Sequence, residues 1–179
     1  KEFEQLDPVA LKILEELKAS GIRVKYDNRD THKPGWKFNE YELKGVPLRI
    51  ALGPRDLEKG TAEVARRDIL SKKLVKLKDL SDYIKSNLSE IQVQLYAKAK
   101  KSLDANINPA DDWESFESAL DKGGFVSAHW DGTSETENKI KEMTKATIRC
   151  IPIENKKISG SCILTGKPSK ERVLFARAY

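Results

Sequence analysis

Residues 34–60 read PGWKFNEYELKGVPLRIALGPRDLEKG. The polar run Asp27 to Gly35 carries a Pro-Gly pair and reads as a loop. From near Gly35 the pattern predicts a short helix over Trp36–Lys44, and Leu48-Arg49-Ile50-Ala51-Leu52 reads as a strand closed by Gly53-Pro54. After Gly60, Thr61–Arg67 alternates as a further strand with polar side chains on one face. Upstream, Asp7-Pro8 reads as a helix start, and apolar residues at Val9, Leu11, Ile13, Leu14 and Leu17 keep helical spacing to about Ala19. Gly21 follows as a stop, and Ile22–Tyr26 alternates like a half-buried strand. The order helix, strand, helix, strand, strand predicts a compact α/β layer.

Downstream, Leu80, Ile84, Leu88, Ile91, Leu95, Ala99 and Leu103 recur in steps of four and three, which predicts one long amphipathic helix packed on its own domain. NINPADD, residues 106–112, breaks this pattern and marks a domain boundary. A second set of elements follows: a helix over Trp113–Lys122 ended by Gly123-Gly124, a strand over Phe125–Trp130 and a helix over Glu135–Thr144. Strands over Thr147–Ile153 and Arg172–Tyr179 flank a turn at Ser159–Lys167.

The 179 residues suit one ordinary domain or two small ones. With 39% hydrophobic and 34% charged residues, the chain builds a thin core under a very polar exterior. No apolar run approaches the roughly 18 residues that a membrane span needs. The opening KEFEQLDPVALKILEEL carries no basic segment followed by an apolar one, so no export leader is expected, and the missing initial Met points to a piece of a longer protein. Two cysteines, Cys150 and Cys162, are too few for a disulfide framework and are expected as reduced thiols. The formal net charge of +5 is local: ten basic residues face four acidic ones between Lys44 and Lys78. A charge excess confined to one window is expected where a surface meets a polyanion, although a solvated basic edge has the same composition.

Catalytic constellations are scarce. His32 and His129 are the only histidines, and neither stands in a metal-binding spacing. No nucleophile elbow, P-loop or dinucleotide-binding glycine pattern occurs. The carboxylate pairs Asp111-Asp112 and Glu15-Glu16 fall on exposed helix starts or polar faces, without the desolvation that active carboxylates need. The informative residues lie between Asp27 and Asp68. Phe38 and Glu42 are four apart on one helix face, Arg49 begins the next strand, and Asp56 lies just beyond its Gly-Pro end. An aromatic ring can stack on an unpaired base, a carboxylate can accept from the N1–H and N2–H₂ edge of guanine, and an arginine can donate to its O6 and N7. Against this stands the plainer reading, in which Phe38 is core and Glu42 pairs with Lys44 or Arg49.

The run 34–60 resembles the anticodon-binding domain of the prolyl-tRNA synthetases, a family of class II aminoacyl-tRNA synthetases. It follows the pattern G-W-K-F-x-E-W-E-L-K-G-V-P-x-R-x-E-x-G-P-R/K-D, departing at Tyr41, where Trp is usual, and at Ala51, where an acid is usual. GGFVSAHWDG (123–132), KATIRCIPI (145–153) and GKPSKERVLFARAY (166–179) resemble the extra C-terminal domain of the archaeal and eukaryote-like form. The resemblance implies a mixed-sheet α/β anticodon-binding domain with flanking helices over residues 1–78. A long connecting helix over 79–105 and a small α+β C-terminal domain over 106–179 would follow. It implies that Phe38, Glu42, Arg49 and Asp56 read the two guanines of a proline anticodon, and that Lys72 or Lys73 corresponds to a further family lysine. Arg66 and Arg67 are added as phosphate contacts on charge alone.

The family's zinc site would fall on Asp131, Thr136, Cys162 and Thr165. Only Cys162 is a good ligand there, so no metal is expected and packing is expected to hold the domain instead. The resemblance also implies that the carboxylate of Tyr179 faces the active site of the enzyme's own catalytic domain. No cofactor is expected within this segment. The full enzyme, expected as a cytoplasmic homodimer, would use ATP and Mg²⁺ to join proline to tRNA(Pro), while the segment alone would be inactive. The family's domain begins with a hydrophobic strand before the helix at Pro8. Without it, four strands are expected in place of about five, with an open edge that promotes dimerisation of the isolated chain. The alternatives are a free-standing RNA-binding module without catalysis and a plain α/β interaction domain.

Overall fold

A computed structural model of the chain describes residues 2–153 and 158–178. The chain divides into two compact units, residues 1–96 and 97–179. Helix α1, Glu2–Ala19, starts well before Asp7-Pro8 and contains Pro8, so that pair is not the helix start. It ends where Gly21 turns left-handed (φ +78°) and Ile22 donates its N–H to the Leu17 carbonyl at 3.0 Å. Helix α2 is Pro34–Leu43, with proline in its first turn. Strand β1, Leu48–Ala51, follows, then the one-turn helix α3, Pro54–Glu58. Strands β2, Thr61–Arg66, and β3, Ser71–Lys76, form a hairpin, and a 3₁₀ turn at Leu77–Asp79 leads into helix α4, Leu80–Ala105.

The sheet of the first unit is antiparallel with order β1-β2-β3. Alternation divides its two faces. Ala62, Val64 and Val75 point inward with Leu48 and Ile50, and pack with Leu17 of α1 and with Leu80 and Ile84 of α4. The opposite face carries Arg49, Ala65 and Lys72, which lie directly across the three strands from one another. This face positions the candidate site.

Two expectations are corrected here. Ile22–Tyr26 alternates in burial, with Ile22, Val24 and Tyr26 half-buried and Arg23 and Lys25 exposed, but no sheet includes it, so the sheet has three strands and not four. The local alternation is that of a strand, but no described strand pairs with it. A groove of about 630 Å³ is lined by both Ile22–Asp27 and β1, with Leu14, Leu17 and Ile84 also on its walls. The second correction concerns α4. Its stripe is buried at Leu80, Ile84 and Ile91, whereas Leu95 and Leu103 are exposed, so packing covers only the first part of the predicted face.

In the second unit, strand β4, Ile107–Pro109, precedes helix α5, Trp113–Lys122, which is capped by the Asp112 carboxylate accepting from the Ser115 N–H. Strand β5, Phe125–His129, helix α6, Ser134–Thr144, and strand β6, Ala146–Cys150, follow. Two-residue strands β7, Gly160–Ser161, and β8, Pro168–Ser169, pair with each other, and β9, Arg172–Arg177, closes the unit. The main sheet runs β4-β5-β9-β6, with β4 parallel to β5 and the other pairs antiparallel. Phe116 of α5 meets Phe175 of β9 edge to face at 5.1 Å between ring centres, in a core shared with Val126, Ile140 and Val173. Gly124 is obligatory: a Cβ there would stand 2.6 Å from the Asn106 carbonyl oxygen, and φ is +82°. Tyr179 lies outside the described residues.

Candidate nucleic-acid interface

The loop leading into α2 is tied down by charge. Arg29 donates to both Asp27 and Glu40 at 2.6 Å, and Lys44 also bonds Glu40. The Arg29 hydrogen bonds hold the Asp27 carboxyl far below its ordinary range despite partial desolvation, with Lys37 adding to the effect. Thus fixed, α2 presents Phe38 and Glu42 to the outer face of the sheet. The Arg49 guanidinium lies 3.5 Å from the centre of the Phe38 ring, a stacked cation–π contact. Its Nη2 is 3.8 Å from Glu42, and its Nη1 is 3.9 Å from Glu63 on β2. Glu63 also pairs with Lys72 of β3 at 3.3 Å.

Both acids flank Arg49 outside ordinary hydrogen-bond distance. Its Nε and Nη1 are buried and have no hydrogen-bond partner among the described residues. Buried donors of a charged group without hydrogen-bond acceptors are costly, and the flanking carboxylates offset that cost by charge alone. Beside it opens a pocket of about 100 Å³, lined by Glu42, Val46, Arg49, Ala65, Arg67 and Leu70 among others. Ala65, between Arg49 and Lys72 in the register, keeps the space over the middle strand free of side chain.

The structure therefore brings together Phe38, Glu42 and Arg49 of the predicted set. Asp56 stands apart in role: it is the third residue of α3, and its carboxylate accepts from the Gly53 N–H at 3.0 Å, which caps the start of that helix. Of the two lysines, Lys72 lies on the site face, while Lys73 points to the other face, with its ammonium 5.1 Å from the Tyr83 ring. Arg67 is exposed and lines the pocket. Arg66 is engaged within the protein. Its guanidinium is 7% exposed and bonds Asp68, Asn87 and Gln94 while pairing with Glu90, so it clamps the hairpin to α4, and the residue also lines the pocket. Glu63, Ala65 and Leu70 were not foreseen. The alternation of Thr61–Arg67 placed Glu63 and Ala65 on one face, but their place beside Arg49 depends on the cross-strand register.

In the second unit, three of the four expected zinc-ligand positions meet through hydrogen bonds, and the set of side chains is unsuited to the metal. Asp131, just after β5, accepts from the Thr136 hydroxyl of α6 at 2.8 Å and from the Thr165 hydroxyl at 2.9 Å. It also accepts from the Thr133 N–H and hydroxyl at 3.1 and 2.9 Å. Cys162 is buried, with its N–H bonded to the Lys167 carbonyl at 2.8 Å. One thiol, one carboxylate and two hydroxyls do not make a zinc ligand set, and among the described residues no cluster of three or more His, Cys, Asp or Glu could hold a metal. The expectation of packing alone is refined: hydrogen bonds to a single carboxylate tie three segments together.

Burial pushes the Asp131 carboxyl up, but bonds from Thr136, Thr133 and Thr165 outweigh it and leave it below its ordinary value. A lowered folded-state value means that its stabilisation is complete above about pH 4 and is lost as pH falls through that lowered value. Asp131→Ala is expected to cost about 2–3 kcal/mol near neutral pH. In urea unfolding, the gap from the parent protein should shrink in acid, and a gap independent of pH would contradict the assignment.

Comparison with known proteins places both units. Residues 1–87 match the family described as anticodon binding domain, and residues 113–179 match the family described as prolyl-tRNA synthetase, C-terminal. The whole chain is 54% identical over 180 residues to a protein of Christiangramia forsetii named proline–tRNA ligase, of which it covers 37%. Proteins of the same name from Porphyromonas gingivalis and Cytophaga hutchinsonii are 51% and 56% identical over 179 and 183 residues, again across 100% of this chain and 36% and 37% of theirs. The chain thus spans a little over a third of the length of these relatives. Among the described residues, no helix is long and apolar enough to cross a membrane.

Proposed function

We propose, from a chain that corresponds along its length to the C-terminal part of prolyl-tRNA synthetases, that its first unit reads the anticodon of tRNA(Pro). The observation that carries this is the Arg49 guanidinium, stacked on Phe38, flanked by Glu42 and Glu63 outside hydrogen-bond distance, and lining a pocket floored by Ala65. In this reading Arg49 donates to O6 and N7 of a guanine, and Glu42 accepts from its Watson–Crick edge. Phe38 supports the arginine. Lys72, Lys73 and Arg67 serve backbone phosphates, with Lys72 and Arg67 on the better-placed face, and Asp56 contributes from the start of α3.

The full-length protein then joins proline to tRNA(Pro) with ATP and Mg²⁺, using a catalytic domain outside these residues. It works in the cytoplasm as a homodimer, and Tyr179 faces its active site. The extra C-terminal domain supports the archaeal and eukaryote-like form, here shared with bacterial relatives. The open groove beside β1 fits the hydrophobic strand that the resemblance places upstream of α1. The Asp131 cluster supports a C-terminal domain that folds without zinc.

The test uses full-length protein and tRNA(Pro) transcripts in which each anticodon guanine is replaced by adenine. The parent protein should bind the altered transcripts more weakly by about 1–3 kcal/mol per base, and Glu42→Ala should abolish most of that discrimination. Equal binding of both transcripts by the parent protein would refute the assignment.

A further inference from the structure

Leu70 combines three properties that rarely coincide. It is a large apolar residue that is 85% exposed. Its backbone lies in the left-handed region, φ +52°, where a side chain with a branched γ carbon is strained and glycine or asparagine is usual. It also lines the same pocket as Glu42 and Arg49. The left-handed backbone closes the hairpin, but neither the size of the side chain nor its exposure follows from that need. Arg67–Leu70 is a four-residue loop between the paired residues Arg66 and Ser71, and a glycine at its last position would close it without strain.

The hairpin is also held still. The Arg67 N–H bonds the Pro47 carbonyl at 3.0 Å, which ties one side of the loop to the start of β1. The buried Arg66 guanidinium grips Asp68 within the loop and Asn87 and Gln94 on α4. A strained, exposed leucine on an anchored loop at the rim of a pocket is a preorganised apolar contact, because the ordering cost is met before any ligand arrives. The edge of a base has partners in Arg49 and Glu42, but its flat face needs an apolar or aromatic surface. The Phe38 ring is already covered by Arg49 at 3.5 Å.

We infer that Leu70 is a specificity-positioning residue of the anticodon site: its side chain packs on the face of the guanine whose edge Arg49 and Glu42 read. The backbone strain at this position is maintained for that contact. This inference rests on the anticodon reading above and adds to it the surface that fixes the plane of the base.

The experiment measures tRNA(Pro) affinity and thermal unfolding of the full-length protein carrying Leu70→Gly, Leu70→Asn or Leu70→Met, with Arg49→Ala as reference. Glycine and asparagine relieve the backbone strain and remove the apolar contact, whereas methionine keeps an apolar side chain. Leu70→Gly and Leu70→Asn should bind about tenfold more weakly while unfolding at the same temperature or higher, and Leu70→Met should stay within about twofold of the parent. Retained affinity in Leu70→Gly or Leu70→Asn, alongside a loss in Arg49→Ala, overturns the role of Leu70 and leaves the anticodon reading standing. No loss in Arg49→Ala removes the anticodon reading itself.

Discussion

Replacing Arg49 with alanine should weaken tRNA(Pro) binding by the full-length protein by about 1–3 kcal/mol, roughly 5- to 150-fold, with little change for tRNAs whose anticodons lack the guanines. The effect should be large because three features act on one side chain. Phe38 fixes the plane of the guanidinium, Glu42 and Glu63 hold it electrostatically without taking its donors, and the burial of Nε and Nη1 makes acceptors from a base worth more than in open water. Arg49→Lys should do almost as much damage. An ammonium keeps the charge but cannot place two parallel donors on O6 and N7, nor lie flat on the ring. Filter binding or calorimetry with paired transcripts reads the result, and an Arg49→Lys protein with parental affinity would reduce the site to simple charge attraction.

Arg66→Ala should be the most destabilising single change in the first unit, at about 3–5 kcal/mol, because it strands the partners of a buried guanidinium. Asp68, held below its usual carboxyl range by that guanidinium, and Asn87, in the interior, both lose their main partner. The same substitution should leave the salt dependence of tRNA binding unchanged in protein that remains folded. Arg67→Ala should do the reverse: little loss of stability, and a log–log salt slope smaller by about one. The pair of arginines, adjacent in sequence and alike in charge, thus separates cleanly by measurement. A reduced salt slope in Arg66→Ala would show that the buried clamp also meets phosphate.

That separation also marks what could be read from sequence. Helical spacing and the glycine and proline stops located α2, α5 and α6 closely, and the end of α1 but not its start, because those signals are local. The trio Phe38, Glu42 and Arg49 was legible for the same reason: one helical turn and one strand start decide where they point. Strand β3 was not read, since its hairpin turn contains no glycine, asparagine or proline, the left-handed position being occupied by Leu70. Without β3 there is no register, so the row Arg49, Ala65, Lys72 and the bridging role of Glu63 were out of reach. Counting charge did not show where Arg66 points, because strand parity decides it: Arg66 alternates with Ala65 and falls on the core face beside Val64. Ile22–Tyr26 shows the opposite limit, in which a strand-like pattern is present but no strand among the described residues pairs with it.

The groove between Ile22–Asp27 and β1 has a consequence for the order of events during synthesis. Its two walls are far apart in the chain, so Ile22–Asp27 leaves the ribosome before β1 exists. At roughly 5–20 residues per second, Val24 waits on the order of one to five seconds for Ile50 to emerge. The groove is therefore completed only once β1 has been made, and the apolar side chains of its first wall depend on α1 for cover until then.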